Sequence, residues 1–138
     1  MLLYRADEDV KKWVSQQLFN DDEWFSPLCT AIGVVQDDEL IAGVVYSKYK
    51  PSLSMEMSVA SIDKRWATRH NLSKFFEYPF IQLGLKRVQT VCSANEGDTI
   101  MFNQRLGFIQ EGRHRQAFDN GDDAISFGML ESECKWIK

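Results

Sequence analysis

Histidine is almost absent from this chain, with only His70 and His114, and cysteine is nearly so, with Cys29, Cys92 and Cys134. No Cys-x-x-Cys pair exists, and the two histidines lie far apart with no cysteine pattern beside them, so a zinc site is not expected. Three scattered cysteines suit reduced, buried thiols better than a disulfide framework. Long apolar runs are also missing: the longest, Ile41 to Tyr46, is strand-sized against the roughly 18 residues that a membrane span needs. There is no basic excess, since the net charge is −4, which argues against a nucleic-acid partner. The first residues turn acidic at once and carry no basic, apolar, small-residue leader, so a cytoplasmic location is expected. Neither a Gly-x-Ser-x-Gly elbow nor a phosphate-binding Gly-x-x-x-x-Gly-Lys loop occurs, which removes two common enzyme classes.

What remains is an ordinary soluble composition, 44% hydrophobic and 26% charged, over 138 residues. That length suits one domain, 1–138, with a single core. Asp7, Glu8 and Asp9 precede Val10, Trp13, Val14 and Leu18 at helical spacing, which predicts a helix over 7–19 capped by Asp7. Thr30 to Gln36 and Leu40 to Ser47 read as a β-hairpin, with Gly43 as a candidate bulge. Leu53 to Ile62 reads as a third strand, with Met55, Met57 and Val59 on one face and Glu56, Ser58 and Ala60 on the other.

Leu72, Phe75, Phe76, Phe80 and Leu83 predict a helix over 68–83 that Pro79 should kink or shorten. Arg87 to Ser93 then returns as a strand, forming a parallel strand-helix-strand crossover. A second helix follows, with Asp98 or Thr99 as its cap and Gly107 at its left-handed end. Two last strands, Ile109 to Phe118 and Ala124 to Leu130, flank Asp119-Asn120-Gly121-Asp122, a hairpin signal. The expected fold is α/β (α+β): a mixed, mostly antiparallel sheet with one central parallel pair, flanked by helices.

This order, together with Asn95 and Thr99, then Leu106-Gly107-Phe108, Glu111-Gly112, Arg115, Gly121-Asp122-Asp123 and Met129-Leu130, resembles the GCN5-related N-acetyltransferases. The likeness covers roughly residues 30 to 130 and is nearest to the branch that acetylates protein N-termini, of the ribosomal-protein-alanine type. It implies an acetyl-CoA-dependent N-acetyltransferase acting on a primary amine, of a small molecule or of a protein or peptide. It also implies pantetheine along Ser58, Ala60, Ser61 and Ile62, where two parallel strands splay. The pyrophosphate would then lie at a helix start, where free N–H groups and the helix dipole attract anions.

That window, Lys64-Arg65-Trp66-Ala67-Thr68-Arg69-His70, lacks the family's glycines but offers three cations, Lys64, Arg65 and Arg69, for phosphate pairing. It also reads as a solvated basic loop. Trp66 stands either on the cofactor or over the helix start. Asn95, Phe102 and Asn103 are further cofactor contacts implied by the resemblance, with Asn103 where many members carry a tyrosine acid. Glu56 matches the strand carboxylate used as a base, or else is a surface glutamate. Thr99 stands near the serine held to protonate the leaving thiolate, or else is a plain cap. The alternative to an enzyme is a GNAT-fold module, catalytically inactive, that holds a partner protein. The oligomeric state stays open, with a homodimer among the options.

Overall fold

A computed structural model describes all residues, 1–138. Its order is β1 (Leu2–Leu3), α1 (Asp7–Phe19), β2 (Thr30–Gln36), β3 (Glu39–Lys50), β4 (Ser54–Ser61), α2 (Arg69–Glu77), β5 (Arg87–Ser93), α3 (Gly97–Leu106), β6 (Ile109–His114) and β7 (Ala124–Leu130). One seven-stranded sheet runs β1-β2-β3-β4-β5-β7-β6, antiparallel everywhere except at the β4–β5 pair. The mixed sheet with one parallel crossover is the architecture that the sequence predicts. No helix is long and apolar enough to cross a membrane.

Strand alternation sends side chains to two faces. On one face Ile32, Val44, Tyr46, Met55, Met57, Val88 and Phe127 form the larger core with Leu72, Phe75, Phe76 and Leu106 from α2 and α3. On the other, Val10 and Val14 of α1 pack on Ala31, Val45 and Ala60. Gly43 is no bulge: the β2–β3 register shifts at Val34/Val35 instead. A Cβ at Gly43 would lie 2.8 Å from Val14 and 2.9 Å from Val10, so glycine there lets α1 sit close on β3. Cys29, Cys92 and Cys134 are buried and unpaired. Burial, joined by the charge of Glu96, pushes the Cys92 thiol up to about 11.

Several boundaries depart from the sequence expectation, each for a local reason. Asp7 is not the cap of α1; Ala6 holds that position, and Asp7 Oδ1 accepts the Ala31 N–H instead (3.2 Å). α3 is capped at Glu96 rather than at Asp98 or Thr99, which leaves Thr99 inside the first turn. α2 stops at Glu77 and passes into a π-helical turn over Tyr78–Gln82. Pro79 has no N–H to give the Phe75 carbonyl four residues back, and the Tyr46 hydroxyl donates to that carbonyl at 2.6 Å. β6 ends at His114, four residues short of Phe118, because the Asp123 carboxylate, which also accepts from Arg113 Nε (2.8 Å), takes the Gln116 N–H (2.9 Å) away from the ladder.

Candidate active site

The parallel pair β4–β5 is joined at only three positions, Ser54–Arg87, Met55–Val88 and Glu56–Gln89. Beyond Glu56, β4 pairs only with β3, and beyond Gln89, β5 pairs only with β7. The two strands therefore fork. Hydrogen-bond alternation fixes what lines the gap. Ile62 N–H donates to the Ile41 carbonyl at 2.9 Å, so Ile62, Ala60 and Ser58 turn their backbone groups to β3. Val59 and Ser61, the alternate residues, turn N–H and C=O into the gap. Opposite them, Ala94 N–H bonds to the Asp123 carbonyl (2.8 Å), which by the same alternation turns Val91 and Ser93 toward β4.

Glu56 sits at the base of this fork, on the face that carries α1. Its side chain is 14% exposed, and Oε1 accepts a hydrogen bond from Lys48 Nζ at 3.3 Å. Lys48 reaches it from an irregularity in the β3–β4 register between Ser47 and Lys50, where its own φ is 55°. Thr99 lies past the open end, in the first turn of α3, and its hydroxyl makes no hydrogen bond. From Gln89 to Ser93 alone the strand advances about 13 Å, so Glu56 and Thr99 mark opposite ends of the gap.

Between β4 and α2 the glycine-free window forms a 3₁₀ turn, Lys64–Trp66, followed by Thr68, whose Oγ1 caps α2 by accepting the Asn71 N–H (3.1 Å). Arg65 is tied to Asp63: its Nε and Nη2 donate to Oδ2 at 2.9 and 2.7 Å, and its N–H to Oδ1 at 2.9 Å. Those hydrogen bonds hold the Asp63 carboxyl below the usual carboxylate range. Arg69 begins α2 with its guanidinium over the Trp136 ring, 5.8 Å from the centroid. Trp66 turns inward: it is buried, with ring centroids 5.7 Å from Phe75 and 5.6 Å from Phe102. Ala67 is half-buried, while Lys64, Arg65, Thr68, Arg69 and His70 face solvent.

The β5–α3 corner is fixed by a network absent from the sequence expectation. Asp122 accepts from Ser93 Oγ (2.8 Å) and Asn95 Nδ2 (2.8 Å), and Asn95 N–H donates to Ser93 Oγ (3.1 Å). Asn95 is thus tied to the β6–β7 loop, and Asn103 is buried with Nδ2 4.0 Å from Cys92 Sγ.

No protein-family model and no curated protein matches the chain. Solved structures do. A chimera built on the spermidine N-acetyltransferase of Vibrio cholerae superposes with a TM-score of 0.75 at 16% identity, covering 100% of this chain and 99% of that one. A variant of the V. cholerae enzyme covers 82% of this chain and 70% of its own (TM-score 0.66, 20% identity). A ribosomal-protein-alanine acetyltransferase from Vibrio fischeri covers 78% and 64% (TM-score 0.67, 19% identity). The chain has the fold of the GCN5-related N-acetyltransferases. It spans 62% of the length of two further acetyltransferases that it matches.

Within this acetyltransferase fold, the predicted residues separate into groups. Glu56, Ser61 and the cations Lys64 and Arg69 lie along the fork and its helix end. Ser58, Ala60 and Ile62 address β3 with their backbone, and Trp66 and Asn103 are drawn into the core. Lys48 escaped the sequence reading, and Asp122 was read only as part of the hairpin, because their roles come from a strand irregularity and a loop closure. Only Asp63-x-Arg65, a short acid-base spacing, carried a local signal that its arginine would be occupied.

Proposed function

We propose that this chain transfers an acetyl group from acetyl-CoA to a primary amine, in the cytoplasm. The observation that carries the reading is the fork: a strand edge with unpaired amides at Val59 and Ser61, running toward the N-terminus of α2. An acyl-pantetheine arm carries amides of its own that match such an edge, as in strand addition. The helix end, with Lys64 and Arg69 beside it, suits the pyrophosphate. When bound, acetyl-CoA supplies an activated acetyl group as a thioester. Glu56, acting across the gap through intervening water, then takes a proton from the incoming ammonium so that the neutral amine can attack, and Thr99, at the far end, is the candidate donor to the departing sulfur.

The acceptor is proposed to be a protein or peptide. α1 covers only β2 to β4, and the following loop is drawn back onto it, with Trp24 N–H donating to Ser15 Oγ (3.0 Å) and Lys11 Nζ to the Pro27 carbonyl (3.2 Å). Val91 (42% exposed), Ile109 (53% exposed) and the His114–Ser126 pair (3.1 Å) thus form a bare floor beside the fork. An extended chain suits an open floor better than a small amine, which is ordinarily enclosed.

Acetyl-CoA at a hundred times its dissociation constant should add about 2.7 kcal/mol of stability. For a chain of this length that raises Tm by about 9 °C. No shift at millimolar acetyl-CoA would remove the transferase reading. It would favour the second one, a domain that keeps the fold and holds a partner protein; the glycine-free window and the engagement of Arg65 by Asp63 speak for that alternative. Arg69→Ala should weaken acetyl-CoA about tenfold, the loss of one charge-assisted contact. Arg65→Ala should change affinity much less, and calorimetric titration of both variants checks the order.

A further inference from the structure

A cleft of about 640 Å3 lies at the β1 edge of the sheet, two strands from the fork. Its origin is a break in pairing. β1 and β2 follow one register, Leu2 with Val34 and Leu3 with Gly33, and Val35 N–H donates to the Met1 carbonyl at 2.7 Å. Continued, that register would set Arg5 against Ala31, its N–H on the Ala31 carbonyl. Arg5 instead adopts φ 60°, a left-handed conformation that costs a non-glycine residue, and the chain swings away.

The consequences are chemical. Asp7 Oδ1 takes the orphaned Ala31 N–H (3.2 Å), and the same alternation turns the Ala31 carbonyl away from β3 toward the cleft, where no β1 residue stands opposite it. A strand-edge carbonyl without a backbone partner, set in the wall of a cleft, is available to a donor on a ligand. Arg5 makes neither an ion pair nor a hydrogen bond, so its guanidinium is free beside this carbonyl's strand edge. Tyr78 and Thr30 share one hydroxyl-hydroxyl hydrogen bond at 3.0 Å, which occupies one of their two protons and leaves the other for a ligand. Lys74 and Glu77 neutralise each other at 3.1 Å, and Ile32 and Ile81 supply apolar wall.

We propose that this cleft is a second binding site, for a small zwitterion of the α-amino-acid class with an apolar side chain. Its ammonium donates to the Ala31 carbonyl and the Asp7 carboxylate, its carboxylate pairs with Arg5 and the spare hydroxyl proton, and its side chain lies on Ile32 and Ile81. The site is independent of acetyl transfer, so the two readings stand or fall separately.

The test uses the full chain and three probes, L-leucine, leucinamide without the carboxylate and 4-methylpentanoate without the ammonium, each titrated while amide chemical shifts of residues 30–32 are followed. Leucine should saturate at millimolar concentration, and both half-probes should bind about tenfold more weakly, as expected for losing one charge-assisted contact. Arg5→Gln should weaken leucine by a similar factor and leave leucinamide unchanged. Arg5→Gly, which relieves the left-handed strain, should raise Tm while weakening leucine. Absent saturation by leucine, equal binding of either half-probe, or unchanged leucine affinity in Arg5→Gln would each overturn the proposal.

Discussion

Replacing Glu56 by glutamine should lower kcat by about a hundredfold to ten-thousandfold, the ordinary contribution of a positioned general base. Shape and hydrogen-bonding reach are kept in this variant, and only the capacity to hold a proton is lost. The fold should survive, because the Lys48–Glu56 contact has one partner 65% exposed to solvent and pairs of that kind add little stability. Acetyl-CoA affinity should also be nearly unchanged, since the cofactor is proposed to lie along Val59 and Ser61, farther up the same strand. A steady-state comparison on a peptide acceptor separates these outcomes: a fall in kcat with KM for acetyl-CoA preserved is expected. A variant that turns over at the wild-type rate would show that the carboxylate is no base.

Trp66→Ala should cost about 3–5 kcal/mol, the range for emptying a large aromatic site in a packed core. The ring is 4% exposed and lies between Phe75 and Phe102, so it joins the turn after β4 to both α2 and α3. For 138 residues this lowers Tm by roughly 10–17 °C. Trp66→Phe should recover most of the loss and bind acetyl-CoA like the parent. A thermal melt that leaves the alanine variant near the parent Tm would mean that the indole rests on the surface, where it would be available to stack on a ligand.

How much of this was legible beforehand differs between levels. Strand and helix positions were readable wherever alternation or helical spacing was uninterrupted: the ranges of β2, β5, β7 and α1 coincide with their sequence limits. The fork followed from the family resemblance, and its consequence for individual residues did not. Which of Ser58, Val59, Ala60 and Ser61 points a backbone group into the gap depends on a register of one residue between β3 and β4, and side-chain pattern is silent on that. The basic character of the window 64–70 was readable, and the prior engagement of one of its cations was not. A cation counts toward an anion site only if it is unspent, and Arg65 is spent on Asp63. Trp66 carried equal signals for surface and core until Phe75 and Phe102 were placed. The early end of β6 was lost to a side chain, Asp123, whose competition with backbone pairing depends on loop closure.

A sheet stitched across its middle by only three rungs is two leaves bound along a short spine. β1 to β4 make one leaf, β5 to β7 the other, and one core, drawn from both, lies beneath them. Whatever fills the opening bridges both leaves. Slowed amide exchange at Val59, Ser61 and Val91 on loading would report that the book has closed.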